Sequence, residues 1–191
     1  MILSRYNKVL IIVAAGASII ALTVIILLSM GRTPWGPTEV FGFWSGDTLS
    51  QNNSQRLFDP YTFTHILHGV GFYLILRFLI PRLSLGARGL MAVSAEAIWE
   101  IVENSSVIIE RYRAATLSLN YYGDSVVNSV GDIIVAALAF YLAARLPVWV
   151  TVSGVILIEI ILALIIRDNL SLNILMLIYP IEAIKTWQMG G

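Results

Sequence analysis

The chain has 191 residues, of which 58% are hydrophobic and 13% charged, about half the roughly 25% charge usual in soluble proteins. A mean hydropathy of +0.81, spread over several long apolar runs, excludes both a soluble globule and a soluble domain on one anchor. Twelve Lys and Arg balance twelve Asp and Glu, so no basic stripe marks a nucleic-acid partner, and the lack of cysteine excludes disulfides, thiolate metal sites and thiol nucleophiles. The composition predicts an all-α polytopic transmembrane bundle of five to six spanning helices, forming a single domain over 1–191.

Residues 9–30 carry no charge and at about 1.5 Å per residue reach about 33 Å, enough to cross the hydrocarbon core. The run is longer than the 7–15 residues of a signal-peptide core, so it reads as a retained first span. Gly16, Ala17 and Ala21 on it, like Ala136, Ala137, Ala139, Ala143 and Ala144 later, offer small-residue faces for helix contacts. Residues 31–60 form a turn-rich loop with Gly31, Pro34, Gly36, Pro37, Gly42 and Gly46, punctuated by Trp35, Phe41, Phe43 and Trp44. Those aromatics suit a headgroup belt or a lid over an embedded site.

The second span, 61–80, contains His65, His68 and Arg77 and stops at Pro81. The third, 89–109, carries Glu96, Glu100 and Glu103; a loop over 110–122 with Arg111 and Arg113 follows. The fourth and fifth cover 124–144 and 148–166, the latter with Glu159 alone inside it. The stretch 170–187 is broken by Pro180 and reads as a kinked sixth span or a re-entrant or interfacial helix, the span being preferred. Seven basic residues against five favour the side of the N-terminus as cytoplasmic, led by Arg5 and Lys8, which places loops 31–60 and 110–122 outside.

Ionisable groups in lipid-spanning segments cost several kcal/mol each unless they face the bundle interior and find partners. Glu96, Glu100 and Glu103 share one helical stripe, as do Asp124, Asn128 and Asp132, and His65 and His68 lie one turn apart. Measured from coplanar helix ends at 1.5 Å per residue, His68, Glu103 and Asp132 lie about 9–12 Å deep and can meet at one level, with Glu100 near them. The same arithmetic puts Glu96 deeper, near Arg77, and predicts an ion pair between those two. The candidate catalytic residues are therefore His68, Glu100, Glu103 and Asp132. Three kinds of chemistry stay open for them: a divalent metal on His65, His68 and Glu103, a metal-free acid–base site, or a hydrogen-bond network that fixes helix register. Glycine-rich phosphate loops, nucleophile elbows and His-Glu-x-x-His motifs are missing from the sequence.

The strings THILHGVGFY (64–73), EAIWEIVEN (96–104), ERYR (110–113), YYGDSVVNSVGD (121–132), RLPVW (145–149) and IRDNLSLN (166–173) resemble an uncharacterised family of bacterial integral membrane proteins, known only as a domain of unknown function. That resemblance implies a bacterial inner-membrane protein and supplies no activity. A more distant resemblance is to VanZ-like membrane proteins, whose pattern of His, Glu, loop Arg and Asp-x3-Asn-x2-Gly is matched by His68, Glu100 or Glu103, Arg111 or Arg113, and Asp124, Asn128, Gly131. Here Thr64 and His65 replace the Asp-Lys that precedes the pattern's His, and Glu103 stands where its Gln is expected. The VanZ-like proteins are associated with the cell envelope.

Together these readings predict an outer-leaflet intramembrane site for a membrane lipid or lipid-linked envelope molecule. Arg111, Arg113, Asp124 and Asn128 are its candidate binding residues, the arginines meeting an anionic headgroup. The rival readings are a proton-coupled transporter with Glu96 and Arg77 on its inner path, and a non-enzymatic subunit of a larger membrane protein complex.

Overall fold

The computed structural model describes residues 2–36, 41–116, 118 and 120–190, among which eight α-helices and no strand form. Pro37 of the turn-rich loop lies outside them. The helices are α1 (Ile2–Ser29), α2 (Thr62–Leu79), α3 (Leu85–Glu103), α4 (Ser106–Ala115), α5 (Val126–Ala143), α6 (Val148–Ile166), α7 (Leu170–Ile178) and α8 (Glu182–Gln188). Of these, α1, α2, α5 and α6 are long and apolar enough to cross a membrane, which marks the chain as a membrane protein. The 19 residues of α3 are also of spanning length, about 28 Å, but it carries Arg88, Glu96, Glu100 and Glu103.

Two sequence-predicted boundaries change. The third span ends at Glu103 rather than 109, because Asn104 closes α3 and the Ser105 hydroxyl accepts from Ile108 N–H to start α4 within the stretch read as an outer loop. The stretch 170–187 is not one kinked span: Tyr179 and Pro180 divide it into helices of nine and seven residues, each too short to cross alone.

Helices α2, α3 and α5 form the centre. Gly69 lets α2 approach α5 so closely that a Cβ there would overlap the Ala136 carbonyl oxygen. Val70, Ala139 and Ala143 close one side of that seam, and Val93, Ala97 and Ile133 join α3 to α5. The alanine face of α5 is thus a packing surface, as its sequence suggests. On α1 the expectation is corrected: Ala17 and Ala21 are exposed, and Ile19, Ile20, Thr23 and Leu27 turn inward instead. Of the three small residues only Gly16 keeps to the inward face, half-buried beside Leu90, where it joins Ile20 and Leu27, spaced by seven residues.

One end of the bundle collects the loops. The Ser125, Val126 and Val127 N–H groups donate to the carbonyls of Ser54, Thr33 and Pro34, so the loop 31–60 satisfies the start of α5. Gln55 donates to the Gly123 carbonyl at 2.8 Å, and the Tyr122 hydroxyl donates to Gln51 O at 2.9 Å. Trp35, Phe41, Phe43 and Trp44 are exposed, as belt aromatics would be, while the neighbouring Asn53 and Ser54 form part of a cavity wall.

Candidate functional site

At the loop end a cavity of about 420 Å³ opens between α2, α3, α5 and α7. His65 sits in the first turn of α2, Glu96 about 10 Å below the end of α3, and Asp132 about 9 Å inside α5. These three positions meet, which requires α3 to project about one turn beyond the start of α2. His65 Nδ1–H donates to Glu96 Oε1 at 2.5 Å and lies 3.4 Å from Glu100 Oε1, while its Nε2 is 3.8 Å from Asp132 Oδ2. His68 Nδ1–H donates to the same Glu96 carboxylate, at 3.1 Å. Its ring also stands edge-on to Trp99, with centroids 6.0 Å apart.

The ion pair of Arg77 with Glu96 does not form. Glu96 is fully buried and held by both histidines, whereas Arg77, three turns further along α2, is exposed. The helix ends are not coplanar: the offset of α3 lifts Glu96 to the histidines and carries Glu103 outward.

His65, His68, Glu103, Asp124, Asn128 and Asp132 all line the cavity. Glu100 lies behind them, 1% exposed, with neither carboxylate oxygen hydrogen-bonded. Asp132 Oδ1 and the Asn128 side-chain amide are likewise buried without a partner. The cluster can gather metal-ligating atoms in two triads, His65 with His68 and Glu96, and His65 with Glu100 and Glu103. The triad expected from sequence, His65, His68 and Glu103, is divided between these two: Glu96 stands with both imidazoles, and Glu103 groups with His65 and Glu100.

Arg111 and Arg113 do not enter the cavity. Arg111 donates to Leu177 O at 2.8 Å and Ile178 O at 3.3 Å, the last carbonyls of α7, and Arg113 donates to the Tyr121 carbonyl. Glu159, alone in its helix, accepts from the Leu170 and Ser171 N–H groups at 3.0 and 3.2 Å. An anion at the N-terminus and a cation at the C-terminus thus hold α7 along the cavity, the arrangement its dipole favours.

Asp124 is fixed by a reciprocal pair, its N–H donating to Asn104 Oδ1 at 2.8 Å while the Asn104 amide donates back at 3.1 Å. The Tyr121 hydroxyl donates to the same carboxylate at 3.0 Å. Sequence reasoning missed Tyr61, Tyr112 and Tyr121, which line the cavity, because tyrosines in loops and helix ends look like belt residues.

Outside the spans, burial raises the Asp59 carboxyl although the Ser54, Tyr61 and Thr62 N–H groups donate to it. Burial also pushes Asp168 up to about 6, against donation from Asn169 N–H and from the Tyr61 and Gln188 side chains.

Comparison with known proteins gives a family but no activity. Residues 27–190 match the model of a protein of unknown function, DUF2585. A UPF0314 protein of Paracoccus denitrificans is 51% identical over 170 residues, covering 89% of this chain and 88% of the relative. UPF0314 proteins of Sphingopyxis alaskensis and Sinorhizobium fredii are 45% and 42% identical, covering 92% and 98% of this chain and 93% and 95% of theirs. No solved structure matches. The chain belongs to the DUF2585 family of uncharacterised proteins.

Proposed function

We propose that this member of the DUF2585 family binds an amphiphile, a membrane lipid or lipid-linked envelope molecule, with the polar head in the ionisable half of the cavity. The observation that carries this reading is the two-faced wall. Against His68, Glu103, Asn128 and Asp132 stand Ile98, Trp99, Val102, Ile174 and Leu177. Of these, Ile98, Val102 and Ile174 are 61%, 42% and 48% exposed, so the apolar wall runs out between α3 and α7 onto the outer face of the bundle. A polar pocket with a lateral apolar mouth fits a molecule that enters from the bilayer. The head would meet carboxyl, imidazole and amide groups suited to acid–base work, not the arginines.

The transporter reading loses its inner path, since Arg77 is exposed and the cytoplasm-directed half of the α2–α5 seam is packed with Val70, Ala139 and Ala143. The membrane is a bacterial inner membrane in this proposal. The N-terminus is cytoplasmic, by the basic residues Arg5, Lys8 and Arg82, so the cavity opens toward the outer leaflet.

The test is native mass spectrometry of the full chain in mild detergent, beside an Ile98→Trp, Ile174→Trp variant that fills the mouth. A lipid-mass adduct on the parent that the plugged variant loses supports the reading. Equal adducts on both, or none on either, overturn it. For chemistry in the pocket, Glu103→Gln keeps volume and hydrogen bonding but removes the titratable carboxyl. An unchanged thermal midpoint with failed complementation of the deletion phenotype assigns Glu103 a working role, and normal complementation removes it.

A further inference from the structure

We propose that His65, His68, Glu96 and Glu100 hold one first-row divalent transition-metal ion at the closed end of the cavity. One ligand atom each from His65, His68 and Glu96 lies within 4.8 Å of the others, and His65 shares the same closeness with Glu100 and Glu103. The donor separations of 2.5, 3.1 and 3.4 Å are close to those around a shared ion. Ligands at 2.0–2.2 Å from a metal stand about 2.8–3.6 Å apart, a range near these three separations; the triad of His65, His68 and Glu96 supplies the core of the set, and Glu100 joins it through its approach to His65.

A second, independent observation points the same way. The Glu100 carboxylate is 1% exposed and accepts no hydrogen bond at either oxygen, although it sits against His65. Buried carboxylates are normally hydrogen-bonded, and an unpartnered one is the acceptor that a cation satisfies. All ion pairs among the described residues run from the two imidazoles to Glu96, Glu100 and Asp132, so the cluster has more carboxylates than cationic partners, and a divalent ion balances it.

Two imidazoles with carboxylates select zinc, manganese, iron(II) or cobalt over magnesium and calcium, which favour all-oxygen shells. The histidines line the cavity whereas the Glu100 carboxylate is enclosed behind them, so the ion would have one face toward bound material, the feature that separates catalytic from closed structural sites. There it would act as a Lewis acid on an oxygen of the occupant's head. That role rests on the amphiphile reading; the metal site itself does not.

The full chain, purified in mild detergent without a polyhistidine tag, is measured by elemental analysis. It is then stripped with chelator and titrated separately with zinc and with manganese while its thermal midpoint is followed. About one equivalent per chain, a midpoint that falls on stripping and returns on titration, and an affinity lowered about tenfold or more in Glu100→Gln and His68→Gln support the site. Only trace metal in folded parent protein, with no midpoint shift from either ion, overturns it. Full binding retained by both folded variants also overturns it, by placing the metal elsewhere. Lipid adducts are read separately, so losing one proposal leaves the other standing.

Discussion

Gly69→Ala tests the helix seam on which the site depends. The added methyl would overlap the Ala136 carbonyl oxygen and lie 2.9 Å from Ala139 Cβ, where ordinary carbon contacts are about 3.5–4.0 Å. The obstacle is backbone, which cannot rotate away, so α2 and α5 must separate by about 1 Å or more. Overpacking of this kind costs about 1–3 kcal/mol, offset in part by the roughly 1 kcal/mol that alanine gains over glycine in a helix. Gly71→Ala, half a turn along the same helix, is the control, since a Cβ there meets nothing within 4 Å and only the helix gain remains. The helix gain is common to both variants and cancels, so they should differ by the overpacking cost of about 1–3 kcal/mol, or several degrees in thermal midpoint. Midpoints within a degree of each other would refute the close approach of α2 to α5. Widening the seam also moves Asp132, on the cavity wall, away from His65, now 3.8 Å apart, so lipid adducts should fall in Gly69→Ala but not in Gly71→Ala.

Single cysteines at Gln51 and Asn120, both exposed at the loop end, should react with an impermeant thiol reagent added to intact cells; labelling only after lysis would reverse the proposed orientation. Asp168 titrates near 6 in the fold against about 3.9 when unfolded, so between those values the native state holds more protons and the neutral carboxyl's contribution, full below about pH 4, is lost as pH rises through 6. The thermal midpoint of Asp168→Asn should fall less steeply over that window than the parent's, and parallel slopes would show that burial does not control this carboxyl.

The elements that sequence made legible are those whose signal is local. Apolar runs longer than the hydrocarbon core locate α1, α2, α5 and α6, and residues spaced by three or four place the carboxylates of α3 and α5 on inward faces. The span read over 89–109 overran the break after Glu103, although Ser105 after Asn104 is a local helix-start signal inside an apolar stretch. Pro180 similarly announces the end of α7. Partnerships across the chain were not readable. Nothing near Glu159 says that it caps α7, and nothing in loop 31–60 says that three of its carbonyls receive the N–H groups at the start of α5 some seventy to ninety residues later.

The misplaced Glu96 shows why the site could be listed but not assembled from spacing. Counting residues fixes a depth along one helix, whereas the relative height of two helices depends on what their ends rest against. Here Asn104, at the end of α3, is held by Asp124 ahead of α5, and the loop over 31–60 is fastened to the start of α5, not to α3. The end of α3 therefore stands about a turn above the start of α2, and α4 turns aside from Ser105. Meanwhile α7, clamped by Glu159 and Arg111, flanks the gap without filling it. That offset brings Glu96 to the histidines, leaves Glu103 on the cavity wall above them, and exposes the Ile98 and Val102 side of α3 beside the opening. The polar pocket and its apolar mouth are thus two consequences of one displacement, and a variant that lets α3 settle should lose both together.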